Sequence, residues 1–209
     1  MVKRWITFII GMNVLAIGII LNTKSLLGVG SINTLPYSLS VIFHLSLGTM
    51  TTFIYILFII IQFILLKRID IQVVMQLPFS FVFGFLIDFF NLFFNFKSPS
   101  IYLQFILLTF AIILTALGAF LMIKGNIVLN PADGIVHTIS QVTQKDFGFV
   151  KNAFDIISIL LTSFICLITK GYIIGIGIGT ILSAIFIGRC ITFYQNIEKY
   201  ILEKQEVTW

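Results

Sequence analysis

The stretch GIILNTK at residues 18–24 returns as GAFLMIK at residues 118–124, so that Gly18, Leu21 and Lys24 recur as Gly118, Leu121 and Lys124. The echo continues beyond this anchor. A proline follows each time, Pro36 and then Pro131, and opens a short polar stretch holding one of the two histidines, His44 or His137. Gly48 recurs as Gly148, and Gln76, Gly84 and Phe89 recur as Thr180, Gly188 and Phe193. Few residues are identical. The weight lies in the shared order: a long apolar run, a proline segment, then two more apolar runs. Duplicated membrane halves of this kind build transport pathways at their interface.

Composition places the chain in a bilayer. It is 59% hydrophobic and 10% charged, with a mean hydropathy of +1.11. A soluble domain with this composition would expose far too much apolar surface. The apolar runs are long and continuous, without strand alternation, so helices are expected and a barrel is not. The first run, Trp5–Leu21, follows Lys3 and Arg4 as in a signal peptide. Leu21–Lys24 makes a poor cleavage site, so the run reads as a retained first helix. Cys166 and Cys190 sit inside apolar runs as small core residues. Further soft ligands at metal spacing are missing, so neither a metal nor a cofactor is expected.

A spanning helix needs about 20 mainly apolar residues. Six segments qualify: Trp5–Leu21, Thr49–Leu66, Val73–Phe94, Tyr102–Ile123, Val150–Thr169 and Tyr172–Tyr194. The proline segments Pro36–Ser46 and Pro131–Gln144 are too short and polar to span, and read as re-entrant or broken helices. With six crossings and the N-terminus inside, Lys3, Arg4, Lys67, Arg68, Lys124, Lys145, Lys151, Arg189, Lys199 and Lys204 face inward. Only Lys24, Lys97 and Lys170 face outward. If both proline segments crossed fully, the division would fall from ten against three to eight against five. The positive-inside bias therefore favours six crossings with both termini cytoplasmic. Three crossings per half is odd, so the expected fold is an all-α membrane domain of two inverted repeats. Repeat 1 covers about 1–97, repeat 2 about 98–196, and 197–209 forms a polar tail that extends the last helix.

Ionisable groups inside a bilayer are costly and default to functional candidates. Asp88 lies in an apolar helix near its outer end. Arg189 lies near the inner end of the sixth, roughly 15–20 Å away along the membrane normal. Asp155 stands about 8 Å above the inner end of its helix, at a depth that allows pairing with Arg189. Asp133 and His137, four residues apart, share one helical face on the same side. The expected site is thus an inner polar cluster of Asp133, His137, Asn152, Asp155 and Arg189. A weaker outer set comprises Ser38, His44, Tyr55 and Asp88. Bland roles compete: Arg189 snorkelling, Asp155 complementing a helix dipole, Asp133 capping the re-entrant helix. Gly175 and Gly179 form a small-xxx-small packing face, or alternatively an unwound stretch exposing carbonyls to a substrate; packing is the favoured reading.

Asn130–Gly134, Lys151–Asp155, and Gly177–Thr180 with Gly188 and Arg189 give the chain its resemblance to the YczE/YyaS/YitT family of bacterial membrane proteins, and to its YczE-like branch in particular. That resemblance implies a bacterial cytoplasmic membrane and supplies neither a substrate nor catalytic residues. The expected function is a small transporter of an unknown small solute or ion, working by alternating access between inverted halves. A substrate-binding subunit of an ATP-driven transporter, requiring partner ATPase subunits, is the alternative. A non-transport scaffold or assembly factor is a third. No metal-ligand cluster or nucleophile–base arrangement points to an enzyme. Topology explains the basic residues, so nucleic acid is not an expected partner. The bilayer is, and a homo-oligomer is compatible.

Overall fold

The structure is a computed structural model and describes residues 1–94 and 100–206. Lys97 and the expected junction of the repeats at 97/98 lie outside the described residues. Among these residues the chain is helical: α1 (Val2–Lys24), a 3-10 turn (Ser31–Asn33), α2 (Thr34–Phe43), α3 (Leu47–Leu66), α4 (Ile71–Val74), α5 (Gln76–Phe93), α6 (Ile101–Gly125), α7 (Pro131–Thr143), α8 (Phe147–Lys170) and α9 (Ile178–Glu206). Six of them, counting α4 and α5 together, are long and apolar enough to cross a membrane.

Backbone landmarks fix the internal repeat at an offset of one hundred residues over the first three helices of each half. α1 and α6 both end beside a left-handed residue, Leu26 and Asn126. α2 and α7 both end in left-handed caps, His44 and Gln144. Side-chain N-caps, Ser46 and Asp146, then start α3 and α8. This register corrects two expected equivalences. Pro131 corresponds to Ser31 and Pro36 to Val136, while His44 corresponds to Gln144 and His137 to Tyr37. The prolines occupy different turns of equivalent half-helices. Pro131 stands at the first position of α7, where no backbone donor is required. Pro36 lies further along, and its ring crowds the carbonyl four residues back. The segment 31–43 accordingly splits into a 3-10 turn and α2, where 131–143 is one helix.

The halves are inverted because the equivalent helices α1 and α6 pack antiparallel. Arg4, at the start of α1, donates from Nε to Gly125 O at the end of α6 (3.1 Å) and from its terminal nitrogen to Asn126 O (2.6 Å). Small residues recur every seven positions: Gly11 and Gly18 on α1 with Ser25 at its C-cap, and Ala111, Gly118 and Gly125 on α6. A methyl on Gly18 would fall 2.6 Å from the Thr115 backbone nitrogen, and one on Gly118 would fall 2.6 Å from Leu15 Cα. Lipid offers no hydrophobic driving force between helices, so such backbone approach supplies the van der Waals attraction.

The other helices follow the same symmetry. α5 packs on α1 as α9 packs on α6. α3 packs on α7 as α8 packs on α2, and α2 packs on α3 as α7 packs on α8. The symmetry fails in one place: α3 packs along α5, whereas α8 and α9 scarcely touch. The sixth helix also starts later than expected, at Ile178. Residues 171–177 are non-helical, and Gly171 and Gly175 take positive φ (77° and 74°). The favoured packing face of Gly175 and Gly179 on one helix is therefore replaced by the unwound alternative. Its end is nevertheless tied down: Val29 N–H donates to Gly175 O (2.9 Å), and Gly179 N–H, at the start of α9, donates to Leu27 O (2.7 Å).

Gly18→Ala should lower thermal stability in detergent, by about 1–3 kcal/mol on the scale of overpacked cores. Gly188→Ala, where nothing lies within 4 Å of the added methyl, should be neutral or slightly stabilising. Equal melting temperatures for wild type and Gly18→Ala would remove the α1–α6 contact from its central place.

Candidate functional site

Both half-helices start deep in the protein and end at its surface. Thr34 opens α2 beside Thr162 of α8 (Oγ1 to Oγ1, 3.1 Å), eight residues or about 12 Å before α8 ends. Asn130 precedes α7 and lies next to Tyr55, near the middle of α3. The far ends, His44 and Gln144, are exposed. Each half-helix thus aims its N-terminal, positive dipole end inward, from opposite faces.

The charged site gathers at the buried end of α7. Asn130 accepts from Ala132 N–H (3.2 Å) and caps the helix. The expected capping role thus belongs to Asn130, with Asp133 one turn in. Asp133 is half-buried and lies within electrostatic reach of Lys151 and Asp155 on α8. Lys151 and Asp155 are four residues apart on one face, and the ammonium bonds both carboxylate oxygens (2.8 and 3.0 Å). Asp155 is 8% exposed. Lys151 balances Asp155, and Asp133 adds a second carboxylate within electrostatic reach, leaving a net negative charge that a proton or small cation can neutralise. Asp133 also lines a narrow crevice of about 10 Å³ with Asn130, Val128, Leu15 and Ala119, room for a single water. Behind it Tyr55, 1% exposed, stacks on Phe83 with ring centroids 6.0 Å apart.

Of the expected inner cluster, Asp133 and Asp155 come together. His137 and Asn152 are exposed. The expected Asp155–Arg189 pair does not form: α9 packs against α6 instead of α8, and Arg189 is exposed with its guanidinium 6.0 Å from the Phe186 ring centroid. Lys151 takes its place, and the sequence signal was its four-residue spacing from Asp155. The outer set is not a cluster either. Ser38 donates to Ile174 O (2.7 Å), His44 caps α2, and Tyr55 belongs with Asn130. Asp88 caps α3 from the neighbouring α5: it accepts from Ser46 Oγ (2.6 Å) and Gly48 N–H (2.8 Å). Orphan donors at a helix start are a sufficient reason for a carboxylate there.

Sequence reasoning passed over two uncharged groups. On the side of the N-terminus, Gln62 of α3 and Gln76 of α5, both fully buried, exchange amide hydrogen bonds (2.9 and 3.1 Å), and Thr138 of α7 donates to Gln62 Oε1 (3.4 Å). Gly134 leaves room for them, since a methyl there would lie 2.7 Å from Gln76 Nε2. On the opposite side Asn22 of α1 donates to Ser183 of α9 (3.1 Å). Asn22 Oδ1 and Thr115 Oγ1 are buried with no hydrogen-bond partner among the described residues. A lone amide inside an apolar run, such as Gln62, was the available signal.

Residues 2–196 match one family along almost their whole length. The chain belongs to DUF6198, a family of unknown function. No curated protein and no solved structure matches this DUF6198 chain.

Gln62→Leu alone strands the Gln76 amide in the core and should cost about 1–3 kcal/mol. The double variant Gln62→Leu/Gln76→Leu should recover most of that loss in a double-mutant cycle of thermal stability. Additive losses would mean that the amides are not coupled.

Proposed function

We propose that this chain is a small multi-pass transporter that moves a small solute or ion by alternating access between its inverted halves. The observation that carries the reading is the pair of half-helices entering from opposite faces, each with its dipole end buried: that of α7 beside Leu15 of α1 and Ala119 of α6, that of α2 beside Thr162 of α8. Half-helices of this kind supply ion and substrate sites in transporters, where irregular backbone is stable only against protein or a wet cavity. Asp133, Lys151 and Asp155 serve as the coupling site: a proton or cation arriving between them relieves the unbalanced charge and weakens the Lys151–Asp155 bond. The unpartnered Asn22 Oδ1 and Thr115 Oγ1 provide polar capacity that a passing solute can use.

The two sides differ in the conformation seen. On the side of the 171–177 segment, Leu27–Val29 is sealed against Gly175–Gly179 by backbone hydrogen bonds. On the opposite side the crevice beside Asp133 is partly open. On the transport reading, the sealed face is the closed one, and transport requires the seal and the crevice to exchange. The YczE-like resemblance and the charge distribution support a bacterial cytoplasmic membrane with both termini in the cytoplasm. The alternative of a binding subunit for partner ATPases draws on the thin contact between α8 and α9, which leaves their apolar faces for lipid or another chain.

A crevice reporter tests the exchange. In a Cys166→Ser/Cys190→Ser background, Val128→Cys reacts with an impermeant maleimide from the N-terminal side. Gly28→Trp or Gly177→Leu, either of which wedges the seal, should make Asn33→Cys reactive from the other side and slow Val128→Cys labelling at least about threefold, roughly 0.7 kcal/mol of population shift. An opened seal with unchanged Val128→Cys labelling would reject alternating access.

A further inference from the structure

The connection between α3 and α5 differs from its symmetry mate in a way that points to a ligand. On the sealed face, the equivalent connection 171–177 folds inward and is packed by Tyr37, Leu27 and Gly28. On the other face, residues 67–75 leave a groove of about 570 Å³. Phe63, Val74 and Leu77 form its apolar wall, and Lys67 and Arg68 stand at its rim. Lys67 closes α3 in a left-handed conformation (φ 51°) and is exposed. Among the described residues it makes no ion pair. Arg68 reaches Asp70 only at 3.8 Å, with 71% of its side chain exposed, a geometry that contributes little.

The groove lies at the end of two spanning helices, where an apolar wall meets acyl chains and a basic rim meets headgroups. Lys and Arg near a membrane surface attract anionic lipid by about 1 kcal/mol each. Here two adjacent cations, one in no ion pair among the described residues, border an open apolar groove whose volume can take part of an acyl chain. We infer that this groove is a binding site for an anionic phospholipid, whose phosphate bridges Lys67 and Arg68 while a chain lies along Phe63, Val74 and Leu77. The inference is independent of the transport reading, since it needs only the groove and the membrane surface.

Native mass spectrometry of the full chain, with phosphatidylglycerol competing against phosphatidylcholine, reads the site directly. Wild type should retain phosphatidylglycerol preferentially. Lys67→Gln/Arg68→Gln should lower the binding ratio by about fivefold for each cation removed. Lys3→Gln/Lys145→Gln, which removes the same charge from the same side, should leave the ratio unchanged. Val74→Trp fills the recess and should abolish retention with both cations intact, which keeps the test decisive if the charge variant folds poorly. Equal losses in the two charge variants, or retention by Val74→Trp, would overturn the site. Displacement of the lipid by millimolar inorganic phosphate would assign the rim to a free anion and overturn it too.

Discussion

The α1–α6 contact is the constraint on which the rest depends. Glycine, serine and alanine at seven-residue spacing bring two antiparallel backbones together, and each methyl added at Gly18 or Gly118 meets backbone atoms that cannot move aside. The closeness does more than join two helices. Because α1 and α6 are equivalent elements, their antiparallel pairing inverts everything attached to them. The half-helices must then approach from opposite faces, α5 must fall on α1, and α9 on α6. Arg4 ties the end of this seam to the α6 carbonyls, where a cation meets the negative end of the helix dipole.

Around the seam, similar polar junctions are built from different side chains. The one on the side of the N-terminus uses two glutamines and a threonine among α3, α5 and α7. The one on the opposite side uses Thr34, Ser38 and Thr162 between the half-helix and α8, with the backbone of Ile174 as acceptor. Interhelical hydrogen bonds in lipid contribute modestly, but an unmet buried amide is costly, so the glutamines hold their arrangement more firmly than the hydroxyls do. This difference fits a sealed face made from backbone pairing over glycine, which small shifts can break, and an opposite face fixed by side chains. The charge triad belongs to α7 and α8 alone, since Tyr55 and Asn33 occupy the positions equivalent to Asp155 and Asp133.

Much of the fold was legible because hydropathy and charge bias report directly on the bilayer. Six runs, two interrupted segments and an odd number of crossings per half follow from run length and lysine placement. Local register was harder. Matching the prolines to each other misaligned the half-helices, because Pro131 is the first residue of α7 whereas Pro36 lies inside the first turn of α2, after the 3-10 turn. The sixth helix was drawn too early because Gly171–Gly177 is as apolar as a helix, and hydropathy does not register the positive φ that unwinds it. Depth alone allowed Asp155 to meet Arg189. It could not reveal that α9 leans on α6, nor that Lys151 was already one turn away. The capping contact of Asp88 was not legible because capping across helices leaves no mark in its own neighbourhood; the donors are at Ser46 and Gly48.

The inverted pairing of the two halves is open to one direct distance measurement. Spin labels at His44 and Gln144, equivalent and exposed at the ends of the two half-helices, can be placed in the full chain reconstituted in lipid, and their separation read by pulsed electron paramagnetic resonance. Inverted halves put the labels on opposite faces, so the distribution should centre at or beyond about 30 Å, the thickness of the hydrocarbon core. A distribution centred below about 20 Å would place both ends on one face and contradict the inversion.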